Sequence, residues 1–80
     1  MDSKQFEELH AKCWETLKRF THEADRMCQL FGQCHPEPAT IQIRASIMDQ
    51  RVRENNAYAT YVDIRQQLFD AVRAGYDPAH

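Results

Sequence analysis

Residues that could bind a metal ion are concentrated in two short segments of this sequence. In the first, Glu7, His10 and Cys13 follow one another at intervals of three residues. Glu-x-x-His is a spacing with which helical bundles hold two metal ions, and a histidine and a cysteine one helical turn apart can ligate one zinc ion. In the second segment, Cys28 and the adjacent pair Cys34 and His35 lie near the middle of the chain.

Neither segment supplies a complete set of metal ligands. Glu7 follows Phe6 by one residue, so a helix turns its carboxylate about 100° away from the apolar side. The segment expected to lie opposite, residues 55–62, contains no Glu, His or Cys. A Cys-x5-Cys-His spacing matches no zinc motif and lacks a fourth ligand. We therefore expect no cofactor, and keep as the alternative that two chains bring together His10 and Cys13 as metal ligands.

Composition narrows the possible functions further. The net charge is -2 and basic residues are spread along the chain, which argues against a nucleic-acid partner. No apolar run approaches the roughly 20 residues that span a bilayer, and the charged residues 1–10 do not resemble a secretory signal. The 3 cysteines fit no disulfide framework. The sequence has no glycine-rich phosphate loop and no activated nucleophile, so we expect a non-catalytic cytoplasmic protein with free thiols.

Two long segments with helical periodicity must position these residues. The only glycines and prolines are Gly32, Pro36, Pro38, Gly75 and Pro78. They lie between the two segments or after the second one, where they end or start helices. The pattern predicts an all-α fold, an antiparallel two-helix hairpin that forms one domain over residues 1–80. We expect helix 1 over about 3–31, a turn over 32–37, helix 2 over about 38–74 and a short tail over 75–80.

Capping signals support these boundaries. Asp2 and Gln5 have the spacing of a capping box at the start of helix 1. Gly32 stands where a left-handed residue is expected to end that helix, and Gly75 stands in the same position after helix 2. Pro38 suits the first turn of helix 2.

Apolar residues predict which faces of the helices are buried. In helix 1 they recur at steps of four and three, which predicts one row: Phe6, His10, Cys13, Leu17, Phe20, Ala24, Met27 and Phe31. In helix 2 they cover two adjoining faces that together span about 220°. The first face consists of Ile41, Ala45, Met48, Val52, Ala59, Val62 and Phe69. The second face consists of Ile43, Ile47, Tyr58, Tyr61, Leu68 and Val72.

A tight turn centred on residues 34–35 predicts how the two helices pair. The first face of helix 2 then meets helix 1, with Phe20 against Met48 and Val52. Helix 2 outlasts helix 1, so its last apolar residues and its second face have no partner within the chain. Because apolar patches of this size seldom stay exposed on monomers, we expect two hairpins to combine into a four-helix bundle as a homodimer.

The residues predicted to anchor that interface are Ile47, Tyr58, Tyr61, Leu68, Phe69, Val72 and Tyr76. Arg44, Arg51 and Arg65 lie within the second apolar sector, either as an interface ladder that meets Glu23 and Glu54 or as a solvated flank. Asn55 lies on the first face, where it could fix the register of a bundle or remain at its edge. A heteromeric partner, or bending or fraying of helix 2 after Leu68, are the alternatives to a dimer.

In architecture alone, the turn and helix in "PEPATIQIRASIMDQRVRENNAYATYVDI" (residues 36–64) resemble the needle subunits of bacterial type III secretion. Small dimeric secretion chaperones are similar in the same general way. The resemblance to needle subunits implies a filament-forming hairpin. The function that we predict is a small protein-protein interaction module, an adaptor, chaperone or regulator. The alternatives are a metal- or ligand-binding bundle and a filament subunit.

Overall fold

The structure is a computed structural model that describes residues 1–34 and 40–75. Helix α1 spans Ser3–Gly32 and helix α2 spans Ile41–Arg73, and the two pack against each other along their length. They form a rod about 58 Å long and 15 Å across. The predicted all-α hairpin is confirmed. The predictions for His35, Pro36, Pro38, Tyr76 and the rest of the tail lie outside the described residues.

The start of each helix is fixed by a side-chain cap. The Gln5 backbone N–H donates to Asp2 Oδ1 at 2.8 Å, and the Asp2 N–H donates to Gln5 Oε1 at 3.1 Å. This reciprocal pair is the predicted capping box. Thr40 caps α2 by accepting a hydrogen bond from the Ile43 N–H at 3.1 Å. Each cap satisfies amide groups that the first turn of a helix cannot satisfy within itself.

The two glycines behave differently. Gly32 is the last residue of α1 and does not have a positive φ, so the predicted left-handed conformation there is wrong. The N–H groups of Gln33 and Cys34 bond the Leu30 and Phe31 carbonyls at 3.1 and 3.0 Å, and this tightened turn needs no left-handed residue. Gly75 has φ 91° after the end of α2, a conformation that glycine adopts without a steric cost.

The helices meet along one row of residues on each, which we call the inner rows. On α1 this row is Phe6, Leu9, Cys13, Thr16, Phe20, Glu23, Met27 and Leu30, and Cys34 continues it in the turn after the helix; all are buried or half-buried. On α2 it is Ile43, Ile47, Gln50, Glu54, Ala57, Tyr61, Ile64, Leu68 and Ala71, again all buried or half-buried. Both rows alternate steps of three and four, the seven-residue repeat of helices that pair along their whole length.

Polar side chains occupy the middle of this contact. Gln50 is only 3% exposed, and its side-chain N–H2 donates to the Glu23 backbone carbonyl at 2.9 Å and to Glu23 Oε2. Oε2 of Glu54 is buried and has no hydrogen-bond partner in the described part of the chain. A buried amide that needs its acceptors penalises any sliding of α2 along α1. The predicted contact of Glu23 with an arginine ladder across a dimer stays a prediction, and within the chain Glu23 accepts from Gln50.

An aromatic group beside this polar layer fixes the same register. The Phe20 ring lies 5.1 Å from the Tyr58 ring and 6.5 Å from the Tyr61 ring, nearly parallel to the latter. The predicted contacts of Phe20 with Met48 and Val52 are wrong, since those residues are 60% and 58% exposed. The reason is the length of the connection. Because α2 begins only at Ile41, each α1 residue faces a position closer to the C-terminal end of α2.

This register also contradicts the prediction that helix 2 extends well beyond helix 1. Met1, two residues before α1 begins, borders a surface depression of about 460 Å3 together with Ala71 and Ala74, so the start of α1 lies close to the end of α2. Ile47, Tyr61 and Leu68 are half-buried on the inner row, and the prediction that this face lacks a partner within the chain is wrong. On α1, Leu9 is buried while His10 and Phe31 are exposed.

Replacing Ala57 by leucine tests the register. Ala57 is 1% exposed and lies next in sequence to Tyr58, which contacts Phe20. Extra methylene groups have no space there, so we expect Ala57→Leu to lower the free energy of unfolding by about 1–3 kcal/mol, measured by urea denaturation. Ala11→Leu, on an exposed position of α1, should change it by less than about 0.5 kcal/mol. Equal effects of the two substitutions would refute the packing described here.

Candidate interaction surface

A second row of apolar residues runs along the exposed side of α2. Its large members, Ile41, Met48, Val52 and Phe69, are 85%, 60%, 58% and 60% exposed. We call it the outer row, and it consists of Ile41, Ala45, Met48, Val52, Asn55, Ala59, Val62, Gln66 and Phe69. All are exposed except the half-buried Val62. Apart from Val62, this face does not pack against α1 as predicted.

The outer row has the same seven-residue repeat as the inner row. At 100° per residue it lies about 160° around α2 from the inner row, and at 1.5 Å per residue it is about 42 Å long. Two apolar rows explain why α2 is much less amphipathic than α1. Asn55 lies at its centre, and Gln66 is the other polar member. A repeat of this kind is typical of a surface that pairs with another helix.

The outer row is bordered by opposite charges on its two sides. One border carries Arg44, Arg51, Tyr58, Arg65 and Val72, and the other carries Gln42, Asp49, Asn56, Asp63 and Asp70. The first border therefore holds three arginines and the second three aspartates.

Some of these charged groups have partners within the chain. The Arg65 guanidinium lies 5.3 Å from the centre of the Tyr61 ring and 6.0 Å from that of Phe69, within the range of a cation–π contact. Asp49 pairs with Arg53 at 3.2 Å and Asp70 with Arg73 at 2.8 Å. No ion pair involves Arg44 or Arg51 within the described residues.

Helix α1 exposes a smaller apolar area. Trp14 and Phe31 are each 55% exposed, and the His10 ring meets the edge of the Trp14 ring at 6.5 Å. Trp14 also borders an open depression of about 390 Å3. The other lining residues are Leu17, Lys18, Thr21, His22 and Asp25.

The residues predicted as interface anchors divide into two groups. Ile47, Tyr61 and Leu68 belong to the inner row, while Tyr58, Phe69 and Val72 are 50%, 60% and 57% exposed. Among the predicted polar residues, Asn55 lies within the outer row and the arginines lie along its border. Gln50 is the buried polar residue that sequence patterning missed, because a glutamine between charged residues carries no signal of burial.

The candidate metal ligands lie in different environments. His10 is exposed and contacts Trp14, whereas Cys13 belongs to the inner row of α1. Cys28 is exposed, and the half-buried Cys34 thiol donates to the Leu30 carbonyl at 3.6 Å. Across residues 1–34 and 40–75, no three His, Cys, Asp or Glu side chains are grouped so that they could hold a metal ion.

Neither helix, within the described residues, is long and apolar enough to cross a bilayer. No family model, curated protein or solved structure matches this chain.

Thiol labelling checks the orientation of α1. Because Cys28 is exposed while Cys13 and Cys34 are half-buried, a thiol reagent should modify Cys28 several-fold faster than the other two. Mass spectrometry after short labelling times identifies the modified residue, and Cys28→Ser should remove the fast phase. Preferential labelling of Cys13 would contradict the assignment of the inner row.

Proposed function

We propose that this chain is a non-catalytic protein-protein interaction module that acts as a homodimer of two hairpins, a four-helix assembly in which the two α2 helices meet at the centre and supply most of the interface. The observation that supports it is the outer row, which remains exposed along α2 while the inner row already covers α1. Three free thiols are consistent with the reducing cytoplasm in which we place the protein.

The energetics of the hairpin favour a partner. Only Leu9, Met27, Ala57 and Gln50 are buried within the described residues, a small core for a chain of 80 residues. Full burial of a large aliphatic or aromatic side chain stabilises a protein by about 1.5–3 kcal/mol. Covering the four large side chains of the outer row would add several kcal/mol, which is comparable to the whole stability of a small domain.

The form of the surface favours a second copy as that partner. A straight row with a seven-residue repeat is complementary to another helix with the same repeat, and α2 itself has that property. Both signs of charge border the row, so one α2 carries the groups that attract the borders of another. A closed dimer formed by one surface on each chain is the commonest form of assembly.

Self-association through α2 leaves part of α1 for other proteins. Trp14 and Phe31 lie on α1, which does not carry the outer row, and both are more than half exposed. Aromatic side chains of this kind often anchor protein contacts. An adaptor, chaperone or regulator would use the dimer as a scaffold and one of these exposed aromatic residues of α1 to bind its client.

Charged substitutions in the outer row test the dimer. We expect Met48→Asp combined with Val52→Asp to convert the dimer into a monomer that keeps its helical circular dichroism, because buried carboxylates lack partners in the interface while both positions are exposed in the single chain. Sedimentation equilibrium gives the mass. Ser46→Asp with Thr60→Asp adds the same charge at exposed positions outside the outer row and should leave the dimer intact.

Three outcomes would contradict the proposal. They are a monomeric native chain, an unchanged dimer in the Met48 and Val52 variant, or a mass that grows without limit with concentration, as in a filament. Leu68→Asp should behave differently from the outer-row variant. Because Leu68 belongs to the inner row, this substitution should unfold the hairpin itself.

A further inference from the structure

We infer that the two copies pair with their α2 helices parallel and in register along the outer row. This inference rests on the dimer proposed above and specifies its geometry. The charges that border the row favour a parallel arrangement of the two helices over an antiparallel one.

The two arrangements bring different borders together. In a parallel pair of helices with a seven-residue repeat, a residue on one border meets a residue on the opposite border of the partner, five positions further along. In an antiparallel pair, each border meets the same border of the partner. A surface with one positive and one negative border is therefore self-complementary only when the helices are parallel.

The sequence of α2 satisfies the five-residue offset along its length. Arg44 meets the partner's Asp49, and Arg65 meets the partner's Asp70. Tyr58 meets the partner's Asp63, to which its hydroxyl can donate. Arg51 is placed opposite the partner's Asn56, whose amide oxygen can accept. Two-fold symmetry makes each of these contacts twice.

In the antiparallel arrangement the same residues oppose one another. With the row centred on Asn55, Arg44 lies near the partner's Arg65, and Asp49 lies near the partner's Asp63. Like charges in these positions destabilise a helix pair.

The aspartates can accept these additional bonds. The hydrogen bonds within the chain use Oδ2 of Asp49, Oδ2 of Asp63 and Oδ1 of Asp70. Each carboxylate has a second oxygen, and each oxygen has two lone pairs, so a contact across the dimer does not require the contacts within the chain to break.

Asn55 selects the register of the parallel pair. In register, it meets the partner's Asn55, and each amide has both a donor and an acceptor for the other. A shift by one repeat would place Asn55 opposite the partner's Met48 or Val62 and leave its amide without a partner. One polar residue in an apolar seam is a known means of fixing alignment.

Charge reversal at Arg44 gives opposite results for the two arrangements. In the parallel dimer, Arg44→Glu repels the partner's Asp49, and we expect the dissociation constant to rise about tenfold. In the antiparallel dimer the new Glu would approach the partner's Arg65, and association would tighten. Arg44 lies in the first turn of α2, where a glutamate favours the helix, so unfolding would not explain weaker association.

Two further variants serve as controls, and sedimentation gives the dissociation constant of each. Arg26→Glu makes the same change in net charge at an exposed site on α1 and should leave the dissociation constant within about twofold of the native value. Adding Asp49→Arg to Arg44→Glu should restore most of the lost affinity, because the pair is then reversed on both sides. Tighter association of Arg44→Glu alone, or no rescue by Asp49→Arg, would overturn the parallel geometry.

A distance between spin labels provides the independent test. The label is attached to one cysteine, introduced by Gln42→Cys near the start of α2. The native thiols are removed by Cys13→Ala, Cys28→Ser and Cys34→Ser, so that no other residue is labelled. In the parallel dimer we expect a label separation of about 20 Å, whereas an antiparallel dimer centred on Asn55 places the labels about 40 Å apart at 1.5 Å per residue. A long distance alone would overturn this inference and leave the dimer. A monomer with no measurable coupling would overturn the proposed function itself.

Discussion

A helix in a hairpin has one neighbour within its own chain, yet α2 is apolar on two sides. Its inner row packs on α1, with Ala57 buried to 1% exposure, and its outer row exposes four large side chains. No rotation of α2 could cover both rows against a single helix, because they lie about 160° apart. The exposed row is therefore a consequence of the sequence of α2. Apolar area of this extent favours association in water.

Which row faces inward is decided by a few contacts near the middle of the rod. Gln50 needs acceptors once it is buried, and Glu23 supplies both its backbone carbonyl and its carboxylate. Phe20 packs against Tyr58 and Tyr61 at the next level of the hairpin. A different rotation of α2 would bury the outer row but would expose this aromatic group. Gln50 would then bond water without penalty, so the aromatic contacts oppose that rotation, while the Gln50 bonds fix the register once the inner row is buried. The polar layer reduces the apolar area that the two helices bury, but it fixes their register.

The sequence was sufficient to predict the two helices, the capping box of Asp2 and Gln5, and the role of Gly75 at the end of α2. It was not sufficient to predict the buried face. Each row of α2 has two polar residues among its nine, Gln50 and Glu54 on the inner row and Asn55 and Gln66 on the outer row, so a count of apolar residues does not show which row is buried. The register failed for a different reason, since a turn centred on residues 34–35 is shorter than the connection between Gly32 and Ile41. Burial of a polar side chain and the length of a connection are properties of the packed pair, and local periodicity does not encode them.

The charges along α2 give the proposed assembly a direction. If opposite borders of the outer row meet, the two α2 helices lie side by side at the centre, each with its α1 on the far side. The Gly32 ends of α1 and the Thr40 caps of α2 then lie at one end of the assembly, while the Asp2 caps of α1 and the Gly75 ends of α2 lie at the other. The exposed Trp14 of each chain is placed on the outer helices, clear of the contact between copies. Because each feature is repeated by a two-fold axis along the rod, the assembly presents two equivalent binding surfaces on opposite sides, at the same level along the rod. Such a geometry suits a module that holds two clients, or two sites of one client, since simultaneous contact with both raises the effective affinity without any new contact surface.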